Sequence, residues 1–283
     1  MKSNNELNNS VSIIAHDAGG AELLSSYAMH HKNVNFIYAL SGPAVKVFRK
    51  KLGAITILSI NEAVYNSHTI LCGTGWGSKF ELSGIVLAKS MNKKSVAFLD
   101  HWVSYKERFL LDGETVLPDE IWVSDKYAQN YAYEIFPDMH IRLIKNYFFE
   151  DLKKEYKKIV VNKENQPKGL NILFVSDNIN AVIEKDPHKK IYLNFSDQEI
   201  FRHLIINLDA LNSKIKKISI RPHPSELKVA KKYQQLMKNC NIPCIIGGKV
   251  KLLEEIANND IVVGGDSMAL VVSMICGKKT YSC

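Results

Sequence analysis

The sequence predicts an α/β protein of two Rossmann-like domains, parallel sheets covered by helices, facing each other across a cleft. Two observations carry this. Short apolar strands alternate with helical patterns along the chain, as in parallel sheets covered on both faces. The alternation breaks once, over 146–168. There Tyr147-Phe148-Phe149 runs into a charged stretch and then into Asn162-Lys163-Glu164-Asn165-Gln166-Pro167, which reads as a linker. The predicted organisation is a first domain over 1–146, a linker over 147–168 and a second domain over 169–283.

The first strand is the apolar run at 11–15, and the pattern over 21–31 is a helix. Segment 35–39 is a second strand, with a helix over 44–51. Runs at 54–58, 69–72, 95–99 and 120–123 are further strands, with a helix over 79–90. After the linker, strands are expected at 171–175, 217–220, 244–246, 261–263 and 279–282. Helices fit at 197–211, 226–239, 251–257 and 268–276. In such sheets ligands bind outside the carboxyl ends of the strands.

At 283 residues and 46% hydrophobic, the chain can fill the cores of one large domain or two ordinary ones. No apolar run is long enough to span a bilayer. The polar start, Met1-Lys2-Ser3-Asn4-Asn5-Glu6, lacks the apolar stretch of a signal peptide. A cytoplasmic protein is expected, with a peripheral place at the inner membrane face left open. Cys72, Cys240, Cys244, Cys276 and Cys283 show no CxxC spacing, so reduced thiols are the default and no structural zinc is expected. The net charge of +8 suggests an anionic partner: nucleic acid, a nucleotide-activated substrate or an acidic membrane. The basic residues are scattered, without an arginine-rich arm, so nucleic acid is not expected. Solvated lysine-rich helix faces account for most of them.

Two motifs in the second half stand out. Arg221-Pro222-His223-Pro224-Ser225-Glu226 and Gly264-Gly265-Asp266-Ser267 each follow a short apolar strand where a helix should begin. A helix start offers unpaired N–H groups and a positive dipole end, a ready site for phosphate. Arg221, His223 and Ser267 would complete the cradle, and the two prolines would hold the His223 backbone. Val175-Ser176-Asp177-Asn178 should face the same place. Ser176 and Asn178 are donor-contact candidates, or plain turn formers.

Three turns in the first half could carry chemistry. In His16-Asp17-Ala18-Gly19-Gly20-Ala21-Glu22 the glycines permit a tight turn. Asp17 or Glu22 could take a proton from an acceptor hydroxyl, or Asp17 could cap the helix. His16, Gly19, Gly20 and Glu22 are acceptor-side candidates. In Gly73-Thr74-Gly75-Trp76-Gly77-Ser78, with Glu81 in the next helix, Thr74, Trp76 and Ser78 could meet a sugar, or Trp76 could plug the domain edge. Neither a GxGxxG fingerprint nor a P-loop is present. In the segment from Asp100 to Phe109, His101, Trp102 and Arg108 could bind a sugar or acid; the alternative is a surface helix with satisfied charges. No Asp-x-Asp pair or His/Cys cluster points to a metal.

The two-domain layout, Arg221-Pro222-His223-Pro224 and Asp266-Ser267 resemble glycosyltransferases of the GT-B fold, especially bacterial sialyltransferases and related Kdo and nonulosonic acid transferases. That resemblance implies an inverting, metal-independent enzyme with no cofactor. It would move a sialic-acid-like nonulosonate (sialic, legionaminic or pseudaminic acid, or Kdo) from a CMP donor to a surface-glycan or glycolipid acceptor. His223 and Pro224 match the family's His-Pro motif, Ser267 the first position of its serine motif, and Asp17 is the candidate base. Gly265 and Asp266 would flank the donor phosphate, and His223 as an imidazolium could act as general acid. Met268 replaces the second position of the serine motif. Arg-Pro-His-Pro also occurs in transferases that use CDP-glycerol, so polyol phosphate transfer is an alternative. A UDP-sugar transferase or epimerase, or a non-catalytic nucleotide-sugar-binding protein, are others. The resemblance also implies a C-terminal helix crossing back to the first domain. The sequence ends at Cys283, through truncation or a family difference.

Overall fold

Strand β1 (Val11–Ala15) is buried along its whole length, as a strand enclosed on both faces must be. A computed structural model describes residues 10–75, 78–161, 169–179, 195–224, 226, 229–238 and 240–283. The chain divides into two compact units, Met1–Phe148 and Phe149–Cys283.

In the first unit α1 (Ala18–His30), β2 (Phe36–Leu40), α2 (Gly42–Leu52) and α3 (Ile60–Tyr65) lead to β3 (Thr69–Cys72). Then come α4 (Phe80–Ser90), β4 (Lys94–Phe98), the short β5 (Leu110–Leu111) and β6 (Glu114–Thr115), β7 (Glu120–Val123), α5 (Lys126–Ile135) and β8 (His140–Leu143). Six strands form one sheet in the order β2-β1-β3-β4-β7-β8, with every pairing parallel. Side chains alternate across a strand, so β1 feeds two cores. Val11, Ile13 and Ala15 join Leu24, Phe48 and Trp122; Ile14 joins Ile70, Ile85, Phe109 and Ile141. Burying each such large apolar side chain contributes about 1.5–3 kcal/mol.

Helix α6 (Tyr147–Val161) starts on the last two residues of the first unit and runs into the second, which continues with β9 (Leu170–Val175), α7 (Asp197–Ile206), β10 (Ile215–Arg221), α8 (Val229–Lys238) and β11 (Cys244–Ile246). The second unit closes with α9 (Leu252–Asn258), β12 (Ile261–Gly264), α10 (Met268–Ile275) and β13 (Lys279–Ser282). Its five-stranded sheet has the order β11-β10-β9-β12-β13 and is again parallel throughout. Phe174, Phe201 and Tyr233 stack edge to face on one side, and Leu173, Val175, Ile256 and Val262 fill the other.

In each unit the chain builds outward on one side of its first strand, then crosses to the other. The topological switch points are therefore between β1 and β3, and between β9 and β12.

Several sequence expectations change. The stretch at 54–58 makes one bridge, Tyr38 to Ile57, instead of a strand. Ile55 and Ile57 still pack against a core, which explains the apolar signal. Ser59 ends the stretch with a capping box: its hydroxyl accepts from the Glu62 N–H, and the Glu62 carboxylate accepts from the Ser59 N–H. The first part of the predicted linker is α6. Leu152, Tyr156 and Ile159, at helical spacing, pack into the second unit's core, so the charged residues between them form a helix face; 162–168 lie outside the described residues. Segment 100–109 is no helix beyond the single turn Glu107–Phe109. The predicted helix at 197–211 stops at Ile206 and continues as the separate turn Leu208–Leu211.

Candidate functional site

The switch point of the first unit is walled by backbone. A Cβ on Gly20 would lie 3.2 Å from the Gly73 Cα, so the start of α1 and the turn after β3 approach closely because Gly20 carries no side chain. His16 and Asp17 occupy the β1–α1 turn above this contact. The His16 Nδ1–H donates to Asp17 Oδ1 across 2.7 Å, and both side chains are partly exposed. Asp17 sits at the N-cap position yet makes no side-chain capping bond. Its carboxylate is spent on the imidazole instead, and its second oxygen faces Gly75, where any Cβ would collide with it.

Beneath this pair lies Glu81, at the start of α4. It is 2% exposed, and its Oε1 accepts from the His16 N–H at 2.7 Å. Burial pushes its carboxyl up; the nearby Asp17 adds to this, while the His16 N–H and imidazole oppose it. Cys72, one strand end away, is pushed up by burial first and by Glu81 second.

Arg108 is buried and spoken for. Its guanidinium donates to the Thr74 carbonyl (2.6 Å) and hydroxyl (3.0 Å), to Asp100 Oδ1 (2.6 Å) and to the Val103 carbonyl (3.0 Å). It pins the β3 and β4 turns together and offers no open face to an anion. Thr74 is its partner, not a surface hydroxyl. The Asp100 carboxylate leans over α1, where a Cβ on Gly19 would strike it.

Other candidates disperse. Glu22 pairs with Lys51 at 2.6 Å, tying α1 to α2 and turning away from Asp17. Ser78 accepts from the Phe80 N–H as a local cap. Trp102 donates its indole N–H to Asp125 at 2.8 Å, and the ring packs on the core. His101 accepts from the Trp102 N–H. Trp76 lies outside the described residues.

The second unit's switch point brings two turns together. After β9, Asp177 reaches across to β12: its Oδ2 accepts from the Asp266 N–H at 2.9 Å, and Ser267 hydrogen-bonds to the same carboxyl. Burial pushes the Asp177 carboxyl up, against those hydrogen bonds, with Asp197 and Asp266 adding to the rise. Ser267 is the N-cap of α10, its hydroxyl accepting from the Ala269 N–H. A side chain on Gly265 would run into Asp177 Oδ2 at 2.8 Å. Ser176 is buried, and Asn178 holds a left-handed φ of 55°.

The Arg221–Pro224 turn follows β10. Arg221 donates to Glu255 (2.5 Å) and to the Val250 carbonyl (3.0 Å). The expected phosphate cation is thus already paired, and it braces the turn before α9. His223 and Pro224 are exposed. The His223 N–H donates to Glu226 Oε2 at 2.7 Å, and the other Glu226 oxygen accepts from Lys232 at 2.5 Å.

Lys232 was not singled out from the sequence. Its ammonium, 14% exposed, also meets Asp197 at 2.7 Å, which is 1% exposed. Asp197 accepts from the Asp177 and Ile179 N–H groups. One lysine thereby ties the turn after β9 to the turn after β10. Burial raises the Asp197 carboxyl, but Lys232 and those N–H groups outweigh it and hold it below the ordinary carboxylate range. The only advance sign was helical: Lys232 sits four residues from Leu236, on an amphipathic pattern that marks many surface lysines.

No described protein family and no curated protein matches the sequence. Solved structures do match in fold. MurG of Acinetobacter baumannii aligns over 95% of this chain and 76% of its own, at 10% identity and TM-score 0.53. A protein from Listeria monocytogenes assigned as a UDP-N-acetylglucosamine 2-epimerase aligns over 96% and 78%, at 11% identity and TM-score 0.61. The fold is GT-B. The glycotransferase of kitacinnamycin shares it as well, over 97% of this chain and 80% of its own, at 10% identity and TM-score 0.54. Identities this low carry the fold and no further. Among the described residues no helix is long and apolar enough to cross a membrane.

Proposed function

We propose that the protein is an inverting glycosyltransferase that moves a sialic-acid-like nonulosonate from CMP to a glycan or glycolipid acceptor. One observation carries the reading: the turns after β1 and β3 and those after β9 and β12 stand at the switch points of the two parallel sheets, and the His223 turn follows the adjacent β10, at the strand ends where such sheets bind ligands. The second unit would hold the donor. His223, exposed on its braced turn, would meet the phosphate with the Ser267 turn, and would stabilise the charge that develops as CMP leaves. Arg221 would support that turn through Glu255 without touching the donor.

The first unit would supply the base. Asp17 would take the acceptor proton on the oxygen facing Gly75. His16 would hold the other oxygen and orient the carboxylate. Glu22, bound to Lys51, has no part in this step.

A calorimetric panel of CMP, CDP, UMP, UDP and GDP tests the donor. Tightest binding by CMP is expected, with His223→Ala weakening it at least about 10-fold, the scale of one charge-assisted hydrogen bond. Tighter binding of CDP or a uridine nucleotide would transfer the reading to polyol phosphate transfer or UDP-sugar chemistry. Equal CMP affinity in His223→Ala would remove the donor-site assignment. Asp17→Asn should leave CMP affinity intact and lower kcat by about 10²-fold or more. Turnover should survive EDTA, and restoration by manganese after its loss would contradict the metal-independent step.

A further inference from the structure

We propose that Glu81 is a positioning residue held as a neutral carboxylic acid under the first unit's switch point, where it fixes the turn that carries His16 and Asp17. The inference rests on the reading of Asp17 as the base, but it begins from geometry that stands apart from that reading.

Glu81 is 2% exposed on a helix that abuts the ends of β1 and β3. Its Oε1 accepts from the His16 N–H at 2.7 Å. The same oxygen lies 3.6 Å from where a Cβ on Gly73 would be, so it touches both sides of the switch point. Its other oxygen, Oε2, is buried with no hydrogen-bond partner, and among the described residues Glu81 joins no ion pair. Three titratable groups face it: His16 and Asp17 from the β1–α1 turn and the Cys72 thiol from β3. None is a lysine or arginine. An ionised carboxylate buried beside another carboxylate, with no lysine or arginine against it and the His16 imidazole already engaged by Asp17, is costly, whereas the neutral acid can still accept from the His16 N–H. The upward push of burial on Glu81 agrees.

The neutral form has a purpose. An ionised Glu81 would place a second negative charge beneath Asp17 and disfavour any substrate anion. The acid keeps the backbone bond and leaves Asp17 as the single charge of the turn. Since Glu81 is sealed from solvent, it acts through His16 and Asp17, not on substrate.

The experiment compares Glu81→Gln with Glu81→Ala in the full chain. Glutamine keeps the acceptor for His16 and cannot ionise. Melting needs no substrate. Because burial raises the folded-state carboxyl, the wild type loses stability as pH climbs above about 4.3, where free glutamate ionises in the unfolded chain. Glu81→Gln lacks that loss, so it should melt above wild type at pH 8, with the gap closing towards pH 4. Glu81→Ala should show faster hydrogen exchange at the His16 amide than either. In turnover, Glu81→Gln should recover most of what Glu81→Ala loses, with the loss in kcat and little change in KM. A Glu81→Gln protein that melts below wild type at pH 8, or is as slow as Glu81→Ala, would show that Glu81 works ionised and would overturn the proposal. A Glu81→Ala protein with normal His16 exchange and turnover would overturn its positioning role. If no donor supports turnover, the function proposed above fails, while the melting and exchange results still decide this inference.

Discussion

Replacing Lys232 by methionine should destabilise the second unit and spare the first. Lys232 holds Asp197 at 2.7 Å and Glu226 at 2.5 Å, with the carboxylates 1% and 5% exposed. Methionine fills much of the space and leaves two buried acids unpaired. Breaking a buried pair from one side costs about 3–5 kcal/mol. Against a domain stability of about 5–15 kcal/mol, that lowers melting by on the order of 10 °C. Two probes localise the loss. Trp76, Trp102 and Trp122 are all the tryptophans of the chain and all belong to the first unit. In urea, tryptophan fluorescence of Lys232→Met should follow the wild-type curve, while far-UV circular dichroism should show an earlier transition. Acid should narrow the difference. With Lys232 present, the depressed Asp197 carboxyl contributes stability above about pH 3.9, lost as pH falls through its folded value. Without the lysine, protonation relieves the buried charge, so the variant gains on wild type as pH falls. Combining Lys232→Met with Asp197→Asn and Glu226→Gln should recover part of the loss. A dichroism curve for Lys232→Met that overlays wild type at pH 7 would refute the argument.

Gly75→Ala drives a methyl into the Asp17 carboxylate; kcat should fall by about 10²-fold, the scale of an ångström of misplacement, with CMP affinity unchanged by calorimetry. Asp177→Asn removes a negative charge from the turn proposed to hold phosphate, so CMP should bind more tightly. Weaker binding would instead show that the carboxylate accepts hydrogen bonds from the ligand. Glu22→Gln should keep turnover within about 3-fold of wild type, because it breaks only the pairing with Lys51, while loss of turnover in a steady-state assay would return Glu22 to the base position.

The strands around both switch points were legible because their signal is local: runs such as Ile13-Ile14-Ala15 and Ile261-Val262-Val263 are apolar throughout. The motif turns followed from them, since each begins where such a run ends. Helix α6 was obscured because Leu152, Tyr156 and Ile159 are sparse among lysines, and a charged stretch has one look whether it is coil or a helix face. The roles of the cations were beyond sequence for a different reason. Arg108 and Arg221 have the residue type that grips an anion, but their carboxylate partners, Asp100 and Glu255, are chosen by tertiary packing. Glu81 was visible only as a residue near a turn; its burial comes from α4 lying against β1, where Gly84 meets Ile14.

The contact between Gly20 and Gly73 also limits how this protein could be re-engineered. Where a crevice is lined by side chains, a library of point substitutions can widen or reshape it. Here the floor is main chain on both sides: a Cβ on Gly20 would press on the Gly73 Cα at 3.2 Å, whereas one on Gly73 would meet the Gly20 Cα at an ordinary 3.5 Å. For the acceptor role proposed above, larger changes would come from altering the length of the segments between Cys72 and Phe80 and between Phe98 and Leu110.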